Sequence, residues 1–276
     1  MTRKVGYLGP PGTFGEQAAL RYAPGEELVP HASHAAVVDA VREGSVDEGL
    51  AAIENSIEGA VSETVDALVR TEGVYIRGEV ILPVEQCLIA APGTAIADVS
   101  LVLSYPNALA QCRVYLESHL PRARIEAALS TAAAVEQALR TPGAAAIGPR
   151  RAADLLGGAV LAERIQDVAL NKTRFVVLGP EDAPPTGDDK TSLAFTVAHD
   201  RPGTLIGVLR ELSDRQINLT HIESRPSRQE LGVYIFLIDF QGHRQEPKVA
   251  EALAAVQAQA FYFRVFGSYP RCIETG

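Results

Sequence analysis

Pro180-Glu181-Asp182-Ala183-Pro184-Pro185-Thr186-Gly187-Asp188-Asp189 divides the chain in two. These ten residues hold three prolines, four acids and one glycine with no apolar periodicity, which is the composition of a linker. We set the linker at 181–190, between a body at 1–180 and a tail at 191–276. Downstream, residues 192–199 alternate, with Leu193, Phe195 and Val197 on one side, as a half-buried strand does. Asp200 is placed to cap the next helix, with Pro202 in its first turn. Leu205, Val208, Leu209 and Leu212 then recur at helical spacing. A second strand spans 217–224, a turn lies around 227–232, and 233–240 is apolar on both faces, as in a central strand. A helix over 247–259 carries Val249, Leu253 and Val256 on one stripe, and 261–266 closes as a strand. The order βαββαβ is the ferredoxin-like arrangement. Such a domain is expected to expose sheet edges and one sheet face and to pair with a copy of itself.

Upstream, short apolar strands at 5–9, 27–31, 49–53, 80–90, 101–104, 124–128, 144–147, 159–162 and 174–178 alternate with helical stretches, which predicts an α/β body. Ser33 caps a helix with Val37, Val38 and Val41 inward, and 57–70 makes another with Val61, Val65 and Leu68. The stretch 80–90, broken by Pro83, crosses from one lobe to another, and 174–178 returns. The body therefore reads as two lobes around a cleft, about 1–80 with 166–180, and about 84–165.

Composition narrows the function. Hydrophobic residues form 47% of the 276 and charged residues 21%, enough to bury real cores. A net charge of −9 without a basic tract excludes a nucleic-acid partner. No apolar run is long enough for a membrane span and no secretory leader opens the sequence, so a cytoplasmic protein is expected. Cys87, Cys112 and Cys272 are odd in number and widely spaced, which gives neither a disulfide framework nor a metal motif. The six histidines have no ligand spacing, and neither G-x-S-x-G nor H-E-x-x-H occurs.

Chemistry concentrates at the junctions. Residues 6–14 form a glycine-rich turn after a strand, but Pro10 and Pro11 remove donors that a nucleotide cradle needs. Thr13 and the amides of residues 12–15 suit an anion at a helix N-terminus; Thr13 equally suits a plain helix cap. Asn55-Ser56, Ser104 before Pro106-Asn107, and Ser130-Thr131 read as further strand-to-helix junctions. Several facing one cleft would hold a small anion through neutral donors. In Asn171-Lys172-Thr173-Arg174-Phe175, the arginine suits either a bidentate carboxylate clamp or a solvated charge at a strand entry.

Those stretches together resemble the prephenate dehydratase family, in its monofunctional form with a C-terminal ACT regulatory domain. The matching segments are Gly-Pro-Pro-Gly-Thr-Phe at 9–14, Ile-Glu-Asn-Ser-Ile-Glu-Gly at 53–59, residues 104–112 and Asn-Lys-Thr-Arg-Phe at 171–175. In the tail they are Arg-Pro-Gly-Thr-Leu at 201–205 and Ile-Asn-Leu-Thr-His-Ile-Glu-Ser-Arg-Pro at 217–226. The resemblance implies a catalytic body like a type II periplasmic binding protein. It also implies decarboxylating dehydration of prephenate to phenylpyruvate for phenylalanine biosynthesis, with no cofactor and no metal.

By the same resemblance Thr173 is the catalytic residue, donating a hydrogen bond to the departing oxygen. Arg174 is the expected anchor of the pyruvyl carboxylate. Asn55, Gln111, Thr13 and Ser56 orient the substrate, and Glu54 is a proton source or an orienting group. Phe14, Ser104, Ser130, Thr131, Asn171 and Phe175 complete the expected pocket. Phenylalanine is expected to bind between paired ACT domains at Gly203, Thr204, Leu205, Ile206, Asn218, Leu219, Glu223, Ser224, Arg225 and Pro226, in a homodimer or homotetramer. Three motifs depart from the family pattern: Tyr105 and Asn107 replace His and Gln, Gly15 stands where Ser or Thr is common, and Gly-Ala-Leu-Val reads Gly203-Thr204-Leu205-Ile206. Arogenate dehydratase, the same chemistry on the amino form of the substrate, and a non-catalytic amino-acid sensor are the alternatives. Chorismate mutase activity is not expected, since the dehydratase motifs begin at residue 6.

Overall fold

The structure, a computed structural model, describes residues 2–197, 202–227 and 233–272. The first lobe is built from β1 (Lys4–Leu8), α1 (Phe14–Tyr22), β2 (Glu27–His31), α2 (His34–Arg42), β3 (Glu48–Asn55), β4 (Gly59–Ala60), α3 (Ser62–Arg70) and β5 (Tyr75–Pro83). The second contains β6 (Cys87–Ala90), β7 (Leu101–Ser104), α4 (Pro106–Gln111), α5 (Arg113–His119), β8 (Arg124–Ala127), α6 (Thr131–Arg140), β9 (Ala144–Gly148), α7 (Arg150–Leu156) and β10 (Ala159–Ala162). The chain then returns as β11 (Lys172–Gly179). The C-terminal domain follows, with β12 (Asp189–Val197), α8 (Thr204–Ser213), β13 (Leu219–Pro226), β14 (Tyr234–Gln241), α9 (Pro247–Gln259) and β15 (Ala260–Pro270).

Three sheets result, in the orders β2-β1-β3-β11-β5, β10-β6-β9-β7-β8 and β13-β14-β12-β15, with β4 paired to β3. The stretch 80–90 splits at Pro83 between the first two sheets, and β11 re-enters the first sheet antiparallel between β3 and β5. The two crossings lie side by side, with Val84 N donating to Asn171 O at 2.9 Å and Ile165 N to Gln86 O at 3.0 Å. The third sheet has the ferredoxin-like order.

Local chemistry revises some boundaries. Helix α3 starts at Ser62 rather than Ile57, because Asn55 Oδ1 accepts from Ile57 N at 2.9 Å and Glu58 N at 3.0 Å. That turn, with Gly59 at φ +79°, sends the chain into β4 before any helix can begin. The linker is no free tether. Ala183 N donates to Ser268 O, His243 Nε2 donates to Ala183 O, and Asp182 pairs with Arg244 at 2.8 Å. The Asp200 cap, Arg201 and turn residues 228–232 lie outside the described residues.

The third sheet is covered on both faces, against the expected open face. Leu193, Phe195, Ile238 and Phe240 pack under α8 and α9. Ala194, Ile235, Leu237, Phe266 and Tyr269 pack on the first lobe with Val38, Val65, Leu68, Ile76, Val176 and Leu178. This explains why β14 is apolar on both sides. Contact with the lobe reaches backbone to backbone at Gly267 (φ +153°), where a Cβ would collide with the Ile76 carbonyl.

Candidate active site

The two faces of β11 carry different chemistry, and a bulge in β3 sorts residues between them. Arg174 pairs with Glu54 but Phe175 with Ala52, so Ile53 is an extra residue on β3. A bulge of this kind interrupts the alternation of side chains and re-aims one of them. Ile53 packs with the α3 side of the sheet, and Glu54 turns to that side to meet Arg174. Asn55 is thereby brought to Thr173, on the face where Phe175, Leu82 and Ala52 form the α1 core.

On this first face the groups around Thr173 are neutral amides and hydroxyls. Asn55 Nδ2 donates to Thr173 Oγ1 and to Asn171 Oδ1, each at 2.9 Å, and to Lys172 O at 3.2 Å. The orientation of the Asn55 amide is set by its own turn, since its oxygen already accepts two backbone amides. Buried Asn171 donates through Nδ2 to Gln111 Oε1 at 3.0 Å, and Gln111 Nε2 donates to Glu58 Oε1 at 3.2 Å. Gln111 closes α4 of the second lobe, so this chain of amides spans the cleft. Ser56 fastens β3 to β11: its hydroxyl accepts from Lys172 N at 2.9 Å and its amide donates to Lys172 O.

At the other end of the cleft Thr13 caps α1, accepting from Glu16 N and donating to Pro10 O. Gly12 N donates to the Glu16 carboxylate, which also pairs with Arg151 of the second lobe at 2.9 Å. Burial raises the Glu16 pKa, but the bonds from Arg151 and Gly12 outweigh it and hold the carboxyl below its ordinary range. Ser130 caps α6, where Thr131 is the first residue, and the Gly12 backbone lies against Ala132 and Ala152. The α1 and α6 N-termini therefore meet across the cleft. Phe14 lines an interlobe cavity of about 280 Å³ with Gln17, Pro83 and Cys87. Gly15 has a local reason, because a Cβ there would lie 2.6 Å from the Leu8 carbonyl oxygen.

The second face of β11 is ionic. Arg174, with its side chain 11% exposed, reaches Asp239 of β14 at 2.7 Å, Glu54 at 3.1 Å and Glu79 at 3.4 Å. Burial opposes its charge, yet the surrounding carboxylates, Asp239 foremost, raise its pKa further. Burial likewise works against the Asp239 charge, but Arg174 and the Ser192 hydroxyl hold its carboxyl below the usual range. Arg174 is thus not an anchor in the cleft: as the strand neighbour of Thr173 it points to the C-terminal domain. Phe175 is core, packed with Val5, Tyr7 and Leu50. Ser104 neither caps α4 nor faces the cleft; it is fully buried and donates to Ile147 O at 2.6 Å.

The expected effector segment divides the same way. His221, Glu223 and Arg225 face the first lobe, with His221 at 3.6 Å from Glu54 and Arg225 on Asp66 and the Ser62 carbonyl of α3. The Arg225 guanidinium therefore joins domains rather than opening into a pocket. Ser224 and Pro226 are exposed, Gly203 holds φ +90° ahead of α8, and Ile206 and Ile222 leave apolar side chains exposed. Asn218 and Leu219 line a groove with Leu209 and Leu212. Sequence reasoning missed Glu16, Arg151, Glu58, Glu79 and Asp239, since each acquires its role from a partner distant in the chain.

Comparison with known proteins closes the reading. A family model described as prephenate dehydratase matches residues 5–183, and the ACT domain model matches 191–258. A prephenate dehydratase of Amycolatopsis methanolica is 41% identical over 272 residues, covering 97% of this chain and 88% of that one. The structure of prephenate dehydratase in complex with L-Phe from Arthrobacter aurescens superposes with a TM-score of 0.89 at 34% identity, over 97% and 90% of the two chains. A structure described as GqqA, a novel type of quorum quenching acylase, superposes at 0.87 with 29% identity over 98% of each chain. Fold alone therefore does not choose an activity. Family models that cover almost the whole described chain, and a relative so similar over its length, do: the chain belongs to the prephenate dehydratase family of enzymes, with an ACT domain at its C-terminal end.

Proposed function

We propose that this chain converts prephenate to phenylpyruvate in phenylalanine biosynthesis and is inhibited by phenylalanine. The observation that carries the chemistry is the orientation at Thr173. Its oxygen accepts from an Asn55 amide whose direction is set by two backbone donors, which leaves the hydroxyl proton to be donated elsewhere, to a substrate in the cleft. As the ring carboxylate leaves as carbon dioxide, its bonding pair enters the ring and the C4–O bond breaks. Thr173 hydrogen-bonds the departing hydroxide as its charge develops. Aromatisation drives the step, so holding the substrate in one geometry suffices for the rest.

The cleft suits this in a second way. Among the described residues, three of its arginines are matched by carboxylates, Arg151 by Glu16, Arg150 by Glu163 and Arg164 by Glu85, so none of the three is a dedicated counter-charge for the departing carboxylate. With Arg174 occupied elsewhere, the pyruvyl carboxylate falls to neutral donors where the α1 and α6 N-termini meet, near Thr13, Ser130 and Thr131. Asn55, Asn171 and Gln111 orient the ring.

Regulation rests on the ACT domain and on the L-Phe complex of the Arthrobacter aurescens relative. Exposed Ile206 and Ile222 and the unpaired β13 edge support side-by-side pairing of two copies, as a dimer or a dimer of dimers. No described helix is long and apolar enough to cross a membrane; a place in the cytoplasm is supported by the biosynthetic family to which the chain belongs.

The test is phenylpyruvate formation from prephenate, repeated with arogenate and with added phenylalanine. Rapid formation suppressed by phenylalanine is expected. Formation without suppression removes the effector reading. Turnover of arogenate alone moves the substrate to the amino acid, and turnover of neither leaves a binding protein.

A further inference from the structure

We propose that Asp239, a residue of the ACT domain, is a positioning residue for the dehydration: through Arg174 it holds Glu54 on the outer face of β3 and so keeps Asn55 paired with Thr173 in the cleft. The inference rests on Thr173 being the hydroxyl donor. Its geometry is a short relay. Asp239 Oδ2 meets Arg174 Nη1 at 2.7 Å, and Arg174 Nε meets Glu54 Oε2 at 3.1 Å, one residue before Asn55. Asp239 is itself fixed, since the Ser192 hydroxyl donates to its Oδ1 at 2.6 Å and shares a 2.7 Å hydrogen bond with the Tyr269 hydroxyl. Glu79, the third carboxylate on Arg174, is held by Lys190 at 2.9 Å and by the Cys272 amide at 3.0 Å.

Adhesion does not account for this group. The domains already share an apolar interface of Leu237, Phe266 and Tyr269 against Val65, Leu68 and Ile76, and buried ion pairs are a poor source of adhesion. What a buried ion pair supplies is a unique geometry, and here a unique geometry matters because the bulge at Ile53 decides which of two neighbours enters the cleft. Loss of the bulge moves each side chain beyond it to the other face. Glu54 would then stand beside Thr173 and Asn55 outside. A carboxylate there accepts the hydroxyl proton's hydrogen bond that the leaving oxygen needs, and repels that oxygen as it becomes anionic. The ion pair on the outer face blocks this by giving Glu54 a partner on that side. His221, on the strand that carries several of the expected effector residues, lies 3.6 Å from the same Glu54, so β13 as well as β14 reaches the residue beside the bulge.

The experiment measures kcat and KM for phenylpyruvate formation in the full chain with Asp239→Asn, Leu237→Ala and Thr173→Val. Asp239→Asn is expected to lower kcat at least tenfold with KM within twofold. Leu237→Ala, which loosens the same interface without touching the charges, is expected to keep kcat within threefold. A folded Asp239→Asn protein with kcat within twofold of the parent overturns the proposal, as does an equal kcat loss in Leu237→Ala. If Asp239→Asn does not fold, Ser192→Ala decides: a three- to tenfold fall in kcat at constant KM supports the relay, and an unchanged kcat overturns it. Thr173→Val separates the two readings. Turnover surviving in that variant removes the hydroxyl assignment and the relay with it; its loss beside an active Asp239→Asn removes the relay alone.

Discussion

The two faces of β11 are separated by a single residue step and built on opposite principles. Thr173 looks into the cleft among neutral donors and acceptors, Asn55, Asn171 and Gln111. Arg174 looks into the domain interface among Asp239, Glu54 and Glu79. The contrast suits the proposed reaction. A departing carboxylate that is not to be stabilised as an anion fits a face whose described arginines are each matched by a carboxylate. Across the interface, two domains must keep one register, and buried ion pairs enforce a register because any other leaves a charge unpartnered.

The largest expected effect is on the ionic face. Arg174→Gln leaves three carboxylates around a neutral side chain and is expected to cost about 3–5 kcal/mol of stability. Urea unfolding measures it, and a loss below about 1 kcal/mol would mean that the interface does not depend on this charge. On the neutral face Thr173→Val is expected to leave the urea midpoint in place while turnover falls by about 10²-fold, the low end of what a positioned proton donor contributes. Near-normal turnover would erase the functional contrast between the faces.

A smaller effect is expected where the cleft does contain a charge. Glu16→Gln removes the carboxylate that ties Gly12 to Arg151 across the lobes, at about 1.5–3 kcal/mol, the usual worth of charge-assisted bonds. It should raise KM severalfold with kcat little changed, because the lobes close less readily on substrate. An unchanged KM would mean that this pair does not govern closure.

The smallest effect is a pH dependence. Burial holds His31 and His34 below the ordinary histidine value, so the folded state resists protons that the unfolded chain accepts. Stability is therefore full above about pH 6.5 and declines as pH falls below it. The thermal midpoint should drop between pH 7.5 and 5.5, and less so in His34→Gln. Asp239 and Glu16 have the carboxylate sign: the stability they add is present above about pH 4 and lost below it.

How much of this was legible before folding differs from element to element. The strand and helix pattern of the ACT domain was open to reading because Leu193, Phe195 and Val197 follow a period of two and Leu205, Val208 and Leu212 a helical one. The apolar character of β14 on both sides was legible too, but its meaning was not. The second face is covered by the first lobe, a contact between residues far apart in sequence. Read from sequence, helix α3 starts five residues early because Val61, Val65 and Leu68 keep helical spacing across a turn dictated by one Asn55 carbonyl. The direction of Arg174 escapes sequence for a similar reason. In a dense polar motif nothing local states which face of a strand each side chain takes once a bulge intervenes.

By itself the sequence determined the alternation of strands and helices and the segments that assign the family, because these are local patterns written within a few residues of each other. Only the tertiary structure decided that Thr173 faces a neutral cleft while Arg174 binds Asp239, that Phe175 and Ser104 are core, and that Arg225 clasps α3. The fates of Thr173 and Arg174 depend on one extra residue in β3 and on the docking of a sheet some sixty residues further along the chain, and that of Ser104 on the packing of β7 beside β9. Burial, which makes each charge costly unless matched, then selects the partners.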